Sequence, residues 1–193
     1  MGRSFSSGAE PPSPDDGELV ERVRGGDATA FDQLVERHMW RAYAVAYRLL
    51  GHREDAEDLV QDAFLVALAK LDTFHSGRSF GPWFYRIVVN RGLNQRKARS
   101  RRRTEPLPDE APARQASPER LAEQSELRAR LSQALDELPE TQRAVVQLFE
   151  VEGFTGAEIA EIMEIPAGTV RWHLHQAKKT LREILEPLRR RET

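Results

Sequence analysis

Between Thr104 and Pro118 the chain reads TEPLPDEAPARQASP, with four prolines in fifteen residues and no helical period. Proline locks φ, has no amide donor and pushes the residue before it out of the helical region, so this stretch continues neither helix nor sheet. It is expected to be an extended linker. Whatever folds must therefore fold on either side of it, and fifteen extended residues span roughly 50 Å, enough for two lobes to engage separate targets. On both sides the apolar residues recur at helical rather than alternating spacing. The expected fold class is all-α: two small helical domains joined by a Pro-rich flexible linker. The boundaries read as a disordered tail over 1–17, a first domain over 18–103, the linker over 104–120 and a second domain over 121–193.

In the first domain Asp16–Arg24 reads as a short helix ending at Gly25-Gly26. Ala28–Leu50 puts Phe31, Leu34, Val35, His38, Ala42, Val45, Ala46 and Leu49 on one face and stops at Gly51. Arg53–Lys70 carries Ala56, Leu59, Val60, Ala63, Val66 and Ala67. Leu71–Pro82 reads as a loop and Trp83 to about Arg102 as a fourth helix. Gly92 costs that helix about 1 kcal/mol and signals a bend or a close approach. After the linker, helices are expected over Glu119–Glu137, with the stripe Leu127, Leu131, Ala134, Leu135 and Leu138, and over PETQRAVVQLFEVEG up to Gly153. Two more follow, at about 157–163 and 168–186.

Charge is unevenly placed along the chain. The formal net charge is −2, yet Pro82–Arg103 holds eight Arg or Lys, and no Asp or Glu occurs between Thr73 and Thr104. A basic block in a mildly acidic chain points to an anionic partner for one face only. On the fourth helix Arg86, Asn90, Asn94, Lys97 and Arg101 fall three or four apart and share a face, with Arg91, Gln95 and Arg102 beside them. Amides next to guanidiniums suit both bases and phosphates. The aromatic head of the helix, Trp83, Phe84 and Tyr85, suits either the core or stacking on unpaired bases, and the residues alone leave both open. The preceding helix has Asp55, Asp58, Gln61 and Asp62 on the face opposite its apolar stripe. That is either a solvated face or an acidic docking surface for a basic protein.

The second domain ends in TGAEIAEIMEIPAGTVRWHLHQAKKTLREIL, a short helix, a tight turn through Glu164-Ile165-Pro166 and a long helix. Ile159, Ala160 and Met163 would face Val170, Leu174, Ala177 and Leu181, with Ile165 plugging the turn. This is the pattern of a helix-turn-helix over about 156–175, with an ordinary helical hairpin presenting a solvated basic face as the alternative. Its second helix would enter a major groove N-terminus first, offering Thr169, Arg171, Trp172, His175, Lys178 and Lys179. Two positions are unusual for the motif: glycine is commoner than Glu164 in the turn, and Ala167 cannot cap as Ser or Asp would.

Other classes of function are weakened by what the sequence contains. With zero cysteines there are no disulfides, thiolate metal sites or Cys nucleophiles, which fits a reducing cytoplasm. His173 and His175 point about 200° apart on a helix and cannot share a metal, and no phosphate-binding glycine loop or nucleophile elbow is present. No catalytic residues, metal or cofactors are expected. No apolar run approaches the roughly 20 residues of a spanning helix, so no membrane insertion is expected either.

The order of these motifs is more specific than any one of them. An acidic DAEDLVQDAFLVAL, then FGPWFYRIVVNRGLNQRKARSRRR, a Pro-rich linker and LPETQRAVVQLFEVEGFTGAEIAEIMEIPAGTVRWHLHQAKKTLRE closely resemble bacterial RNA polymerase sigma factors of the extracytoplasmic-function (ECF) group over about residues 18–188. The resemblance implies a sigma region 2 domain that binds core RNA polymerase and recognises and helps melt the −10 promoter element, and a sigma region 4 domain that reads the −35 element. It puts polymerase binding at about Asp58–Leu71, with Asp55, Asp58, Gln61 and Asp62 meeting the β′ clamp helices. It puts −10 recognition on Trp83, Arg86, Asn90, Arg91, Asn94, Lys97, Arg101 and Arg102. Trp172-His173-Leu174-His175 departs from the Ser-Arg-Leu-x-Arg common in the family. The implied partners are core polymerase (β′ clamp helices, β flap), promoter DNA and an anti-sigma factor, in the bacterial cytoplasm at the nucleoid. The rival readings are a stand-alone helix-turn-helix regulator and a polyanion-binding adaptor.

Overall fold

The computed structural model describes residues 14–75, 77–102 and 133–189, and these form helices and the turns between them. Residues 1–13 of the expected tail, the linker and all but the last turn of the helix expected over Glu119–Glu137 lie outside the described residues; the tail's expected end at 17 is overrun, because Asp15 caps a helix that starts at Asp16.

The first helix, α1 (Asp16–Arg24), starts at Asp15 in a reciprocal capping box with Glu18, which satisfies two otherwise orphaned amides. Its last turn is anchored by Arg24, which donates to the carbonyls of Leu71 and Phe74 far along the chain. Helix α2 (Ala28–Leu50) is capped by the Asp27 carboxylate and ends at Gly51, whose φ of 73° lets it close the helix in the left-handed region. Helix α3 (Arg53–Ala69) follows, and a 3-10 turn over Leu71–Thr73 leads toward α4 (Phe80–Arg102). Here α4 begins three residues before the expected Trp83, because Phe80 belongs to the core and the helix forms around it.

The core of this lobe is the apolar stripes of α2 and α3 closed over by the first half of α4. Phe64, Phe84 and Phe80 stack in series with centroid separations of 4.4 and 5.8 Å, Phe74 packs edgewise on Phe80, and Trp83 lies tilted against both Phe74 and Phe80. Gly92 marks a close approach. A Cβ there would stand 2.9 Å from Leu49 Cδ1, so glycine is what lets α4 lie this close to α2.

The second lobe contains α5 (Glu140–Val146), which passes into a π-helical turn at Gln147–Val151 instead of running on to Gly153. Then come α6 (Gly156–Met163) and α7 (Ala167–Arg189). Val145, Leu148, Ile159, Ile162 and Val170 are its buried centre. Met163 is partly buried and packs against that centre as expected, and Ile162, which the spacing did not single out, is fully buried beside it. Arg143, 8% exposed, ties the lobe's start together by donating to the carbonyls of Asp136 and Leu138 and to the Asp136 carboxylate.

The lobes are docked on each other. One continuous buried cluster runs from Leu19 of α1 to Val170 of α7. Phe154, between the π turn and α6, is 2% exposed because it inserts against the Tyr85 ring (centroids 5.0 Å) and under the Arg41 guanidinium, 3.7 Å from its own ring centre.

Candidate protein and nucleic-acid interfaces

On α3 the side chains of Asp58, Gln61 and Asp62 are exposed, while Asp55 is half-buried. Leu65 (66% exposed) and Leu68 (44%) join the same face, since they follow Gln61 by four and seven residues. The sequence reading missed these two leucines. The available signal was their position off the apolar stripe, on the acidic side of the helix. Two large apolar side chains held in water beside carboxylates form a surface that suits a partner.

That acidic face is not isolated from the basic helix. Arg91 donates to Asp62 at 2.6 Å, and Arg99 pairs with Asp55 at 2.5 Å. Opposite charges that the sequence assigned to separate faces thus meet along the α3–α4 seam. Of the basic-helix residues, Asn90, Arg91, Asn94 and Lys97 are exposed and Arg86 is partly so; the side chains of Arg101 and Arg102 lie outside the described residues. Trp83 is 8% exposed and sits with Phe74 and Phe80, but it also lines a cleft of about 390 Å³ with Lys70, Arg86, Asn90 and Arg91. Lys70 was not anticipated there, because its place in the cleft depends on how α3 ends against α4.

Tyr85 faces the interior. Its hydroxyl is 3.1 Å from His38 Nδ1, and His38 Nε2 is 2.8 Å from Asp16. With Nε2 donating to Asp16, Nδ1 accepts from the tyrosine, so a buried polar chain links α1, α2 and α4 with each member satisfied. Burial pushes the Tyr85 hydroxyl up to about 12. Burial also raises Asp16, but the hydrogen bonds from His38 and Arg37 outweigh it and hold the carboxyl below its usual 3.8.

The helix-turn-helix is built as the sequence suggested. Thr155 and Glu158 form a capping box at the start of α6. Ile159, Val170 and Ala177 are buried, and Ile165 packs against the core. Glu164 closes α6 with φ 54°, ψ 41°, left-handed geometry that favours glycine; a side chain there costs about 1 kcal/mol. On α7, Arg171, Trp172 (53% exposed), His175, Lys178 and Lys179 are exposed and Thr169 is half-buried at the first turn. Lys178 pairs with Glu150 at 2.9 Å. His173 turns inward, where burial lowers its basicity. Among the described residues no cluster of three or more His, Asp or Glu can hold a metal, and no helix is long and apolar enough to cross a membrane.

A four-helix lobe with an exposed acidic-apolar face and a basic helix, followed by a helix-turn-helix lobe, is the plan of a sigma-70 type factor. Residues 34–102 match Sigma-70 region 2 and residues 128–181 match Sigma-70, region 4. The chain is 37% identical over 185 residues to the ECF RNA polymerase sigma factor SigE of Mycolicibacterium smegmatis, a match covering 93% of this chain and 72% of the relative. It is 35% identical over 183 residues to the ECF RNA polymerase sigma-E factor of Escherichia coli K12, covering 90% and 95%. Among solved structures it is similar to CnrH in complex with the cytosolic domain of CnrY, with TM-score 0.68 and 26% identity over 89% of this chain and 97% of that one. It is also similar to RpoE in complex with the anti-sigma factor NepR from Bartonella quintana, with TM-score 0.65 and 27% identity over 81% and 96%. The chain belongs to the ECF sigma factors of the sigma-70 family. It is accordingly a transcription-initiation factor for RNA polymerase.

Proposed function

We propose that the first lobe, residues 18–103, docks on core RNA polymerase through α3 and reads −10 DNA through α4, while the second, residues 121–193, reads the −35 element through α7. The observation that carries this reading is the run Arg86, Asn90, Asn94 and Lys97 along one side of α4, three of them exposed, directly across a seam from the α3 acids. A single rigid lobe thereby offers one face to a basic protein and another to nucleic acid. Asp58, Gln61 and Asp62 with Leu65 and Leu68 form the polymerase-facing surface, meeting the β′ clamp helices, and Asp55 stays paired to Arg99 at its edge. In α7, Arg171 and Trp172 are placed for base edges and Lys178 and Lys179 for phosphates, with Thr169 and His175 flanking them. Region 4 would meet the β flap.

The protein acts as a specificity factor and performs no chemistry itself; the reaction is the polymerase's. It works in the cytoplasm, at the nucleoid. CnrH and RpoE are each held by a partner in the solved complexes, and an anti-sigma factor is the expected regulator here too. With no cysteine in this chain, any thiol-based sensing belongs to that regulator. Multi-round transcription with purified core polymerase tests the reading. Promoter-specific transcripts should require both this chain and core polymerase. Specific promoter binding by the free chain, without any gain in transcription on adding core, would instead establish a stand-alone regulator.

A further inference from the structure

Helix α7 changes chemistry at the end that would enter the groove. Its exposed side begins with Ala167 and Gly168 and continues through Arg171, Trp172 and His175. Gly168, Trp172, His175 and Lys179 fall four, three and four residues apart, so they share one side of the helix. The first turn is nearly bare: a Cβ added at Gly168 would meet nothing within 4 Å. Side chains of a helix lean toward its N-terminus, so Arg171 and Trp172 are the first large groups that reach over that bare turn.

Trp172 is 53% exposed, yet it is not loose. Its ring packs on that of His173, with centroids 4.9 Å apart and planes at 67°, and His173 turns inward with Nδ1 buried. A tryptophan has only two side-chain torsions to lock, so holding it ready costs little entropy. An exposed indole on an otherwise cationic surface gains when apolar atoms cover it. The major groove offers one such group. Guanine, adenine and cytosine present only donors and acceptors at their edges there, whereas thymine adds its C5-methyl. The indole has a single donor, Nε1–H, and no acceptor. Laid against the amino group of adenine or cytosine, it would strip water from a donor and give nothing back. Laid against thymine, its body covers the methyl and strands no amino group.

We propose that Trp172 is a specificity-determining residue for a thymine in the −35 element, its indole covering the C5-methyl group in the major groove beside a guanine held by Arg171. The proposal rests on the assignment of α7 to −35 DNA. The bare turn at Ala167 and Gly168 is what lets the base edges come close enough for this contact. Cα atoms of consecutive residues are about 3.8 Å apart, close to the rise of about 3.4 Å per base pair. The guanine and the thymine therefore belong to neighbouring base pairs, on the same strand or on opposite ones. Lys178 and Lys179 lie further along α7 and serve phosphates, which carry no sequence information.

The test uses holoenzyme assembled from the full-length chain and core polymerase, selecting from a duplex DNA library randomised over the promoter region. The wild type should enrich an upstream element with a guanine and a thymine in neighbouring base pairs. In that duplex, replacing the thymine by deoxyuridine removes only the methyl group. Holoenzyme binding should weaken about three- to fivefold, the worth of one buried methyl. With Trp172→Ala the thymine and uracil duplexes should bind alike, and selection should keep the guanine while losing the thymine. Trp172→Phe keeps an aromatic ring without the N–H and should retain a methyl effect of about two- to threefold. Arg171→Ala should do the converse, losing the guanine and keeping the methyl effect. Because Trp172 is exposed, Trp172→Ala should leave circular dichroism and affinity for core polymerase unchanged. An absent methyl effect in the wild type, or one undiminished in Trp172→Ala, overturns the role of Trp172 while leaving α7 on the −35 element. Weaker core binding by Trp172→Ala with no change in base preference overturns it too and assigns the indole to the polymerase. A wild-type selection that enriches no upstream element removes α7 from −35 DNA, and the proposal falls with that assignment.

Discussion

Replacing Gly92 by alanine sets two opposing effects against each other at one atom. Alanine is the better helix former by about 1 kcal/mol, so on an open helix surface Gly92→Ala would stabilise α4. Here the new Cβ would lie 2.9 Å from Leu49 Cδ1 and 3.5 Å from both Leu49 Cβ and Leu59 Cδ1, against an optimum near 3.5–4.0 Å for carbon pairs. Leu49 is 5% exposed and Leu59 3%, so Leu49 has no solvent to swing into. Overpacking of this kind costs about 1–3 kcal/mol. The net expectation is destabilisation by about 1 kcal/mol. Urea unfolding followed by circular dichroism measures it, and a second background makes the reasoning refutable. Leu49→Val removes the offending Cδ1 and costs about 1 kcal/mol itself. In that background only the propensity gain remains, and Gly92→Ala should stabilise by about 1 kcal/mol. The sign should reverse between backgrounds, a coupling of about 2 kcal/mol between touching residues. Stabilisation by Gly92→Ala in both would mean that α4 does not lie on α2 as described.

Two further perturbations probe the interface and the polar core. Asp58→Arg with Asp62→Arg should abolish binding to core polymerase while circular dichroism stays unchanged, since both side chains are exposed; retained affinity in a pull-down would remove α3 from the docking surface. Asp16 has a folded-state pKa below 3.8, so its ionised form favours the native state. That contribution is complete above the unfolded value and is lost as pH falls through the folded one. The stability gap between the wild type and Asp16→Asn should therefore narrow as pH falls past the unfolded value of 3.8 and through the lower folded one, and a constant gap would show that the His38 and Arg37 contacts do not matter.

The parts of this fold that were legible in the sequence are those set by local rules. Gly51 ends α2, and the α2 stripe from Leu34 to Leu49 is the stripe that is buried. Gly92 announced its close approach by being a poor helix residue in a helical context. What could not be read is whatever depends on two distant elements meeting. Arg41, Arg48 and Glu152 look like ordinary surface charges until the lobes dock, more than a hundred residues apart in sequence. The π-helical turn at Gln147–Val151 left no mark in the apolar pattern either, since it still carries Leu148 inward at near-helical spacing.

The aromatic head of α4 shows why its residues could not be sorted in advance. Most surface helices separate apolar from polar around their circumference, and the period then tells which side is buried. Helix α4 separates them along its length. Phe80, Trp83, Phe84, Tyr85, Val88 and Val89 are buried on several sides of the first half, because α2, α3 and the Phe154 loop enclose it. In the second half, Asn94, Lys97 and Ala98 are exposed. A helix organised this way has no single apolar stripe, so spacing cannot say which aromatic is core. The structure makes all four aromatics structural and leaves only an edge of Trp83 on the cleft. The proposed chemistry for nucleic acid then falls to Arg86, Asn90, Asn94 and Lys97, and of these four aromatics Trp83 is the one that reaches the cleft.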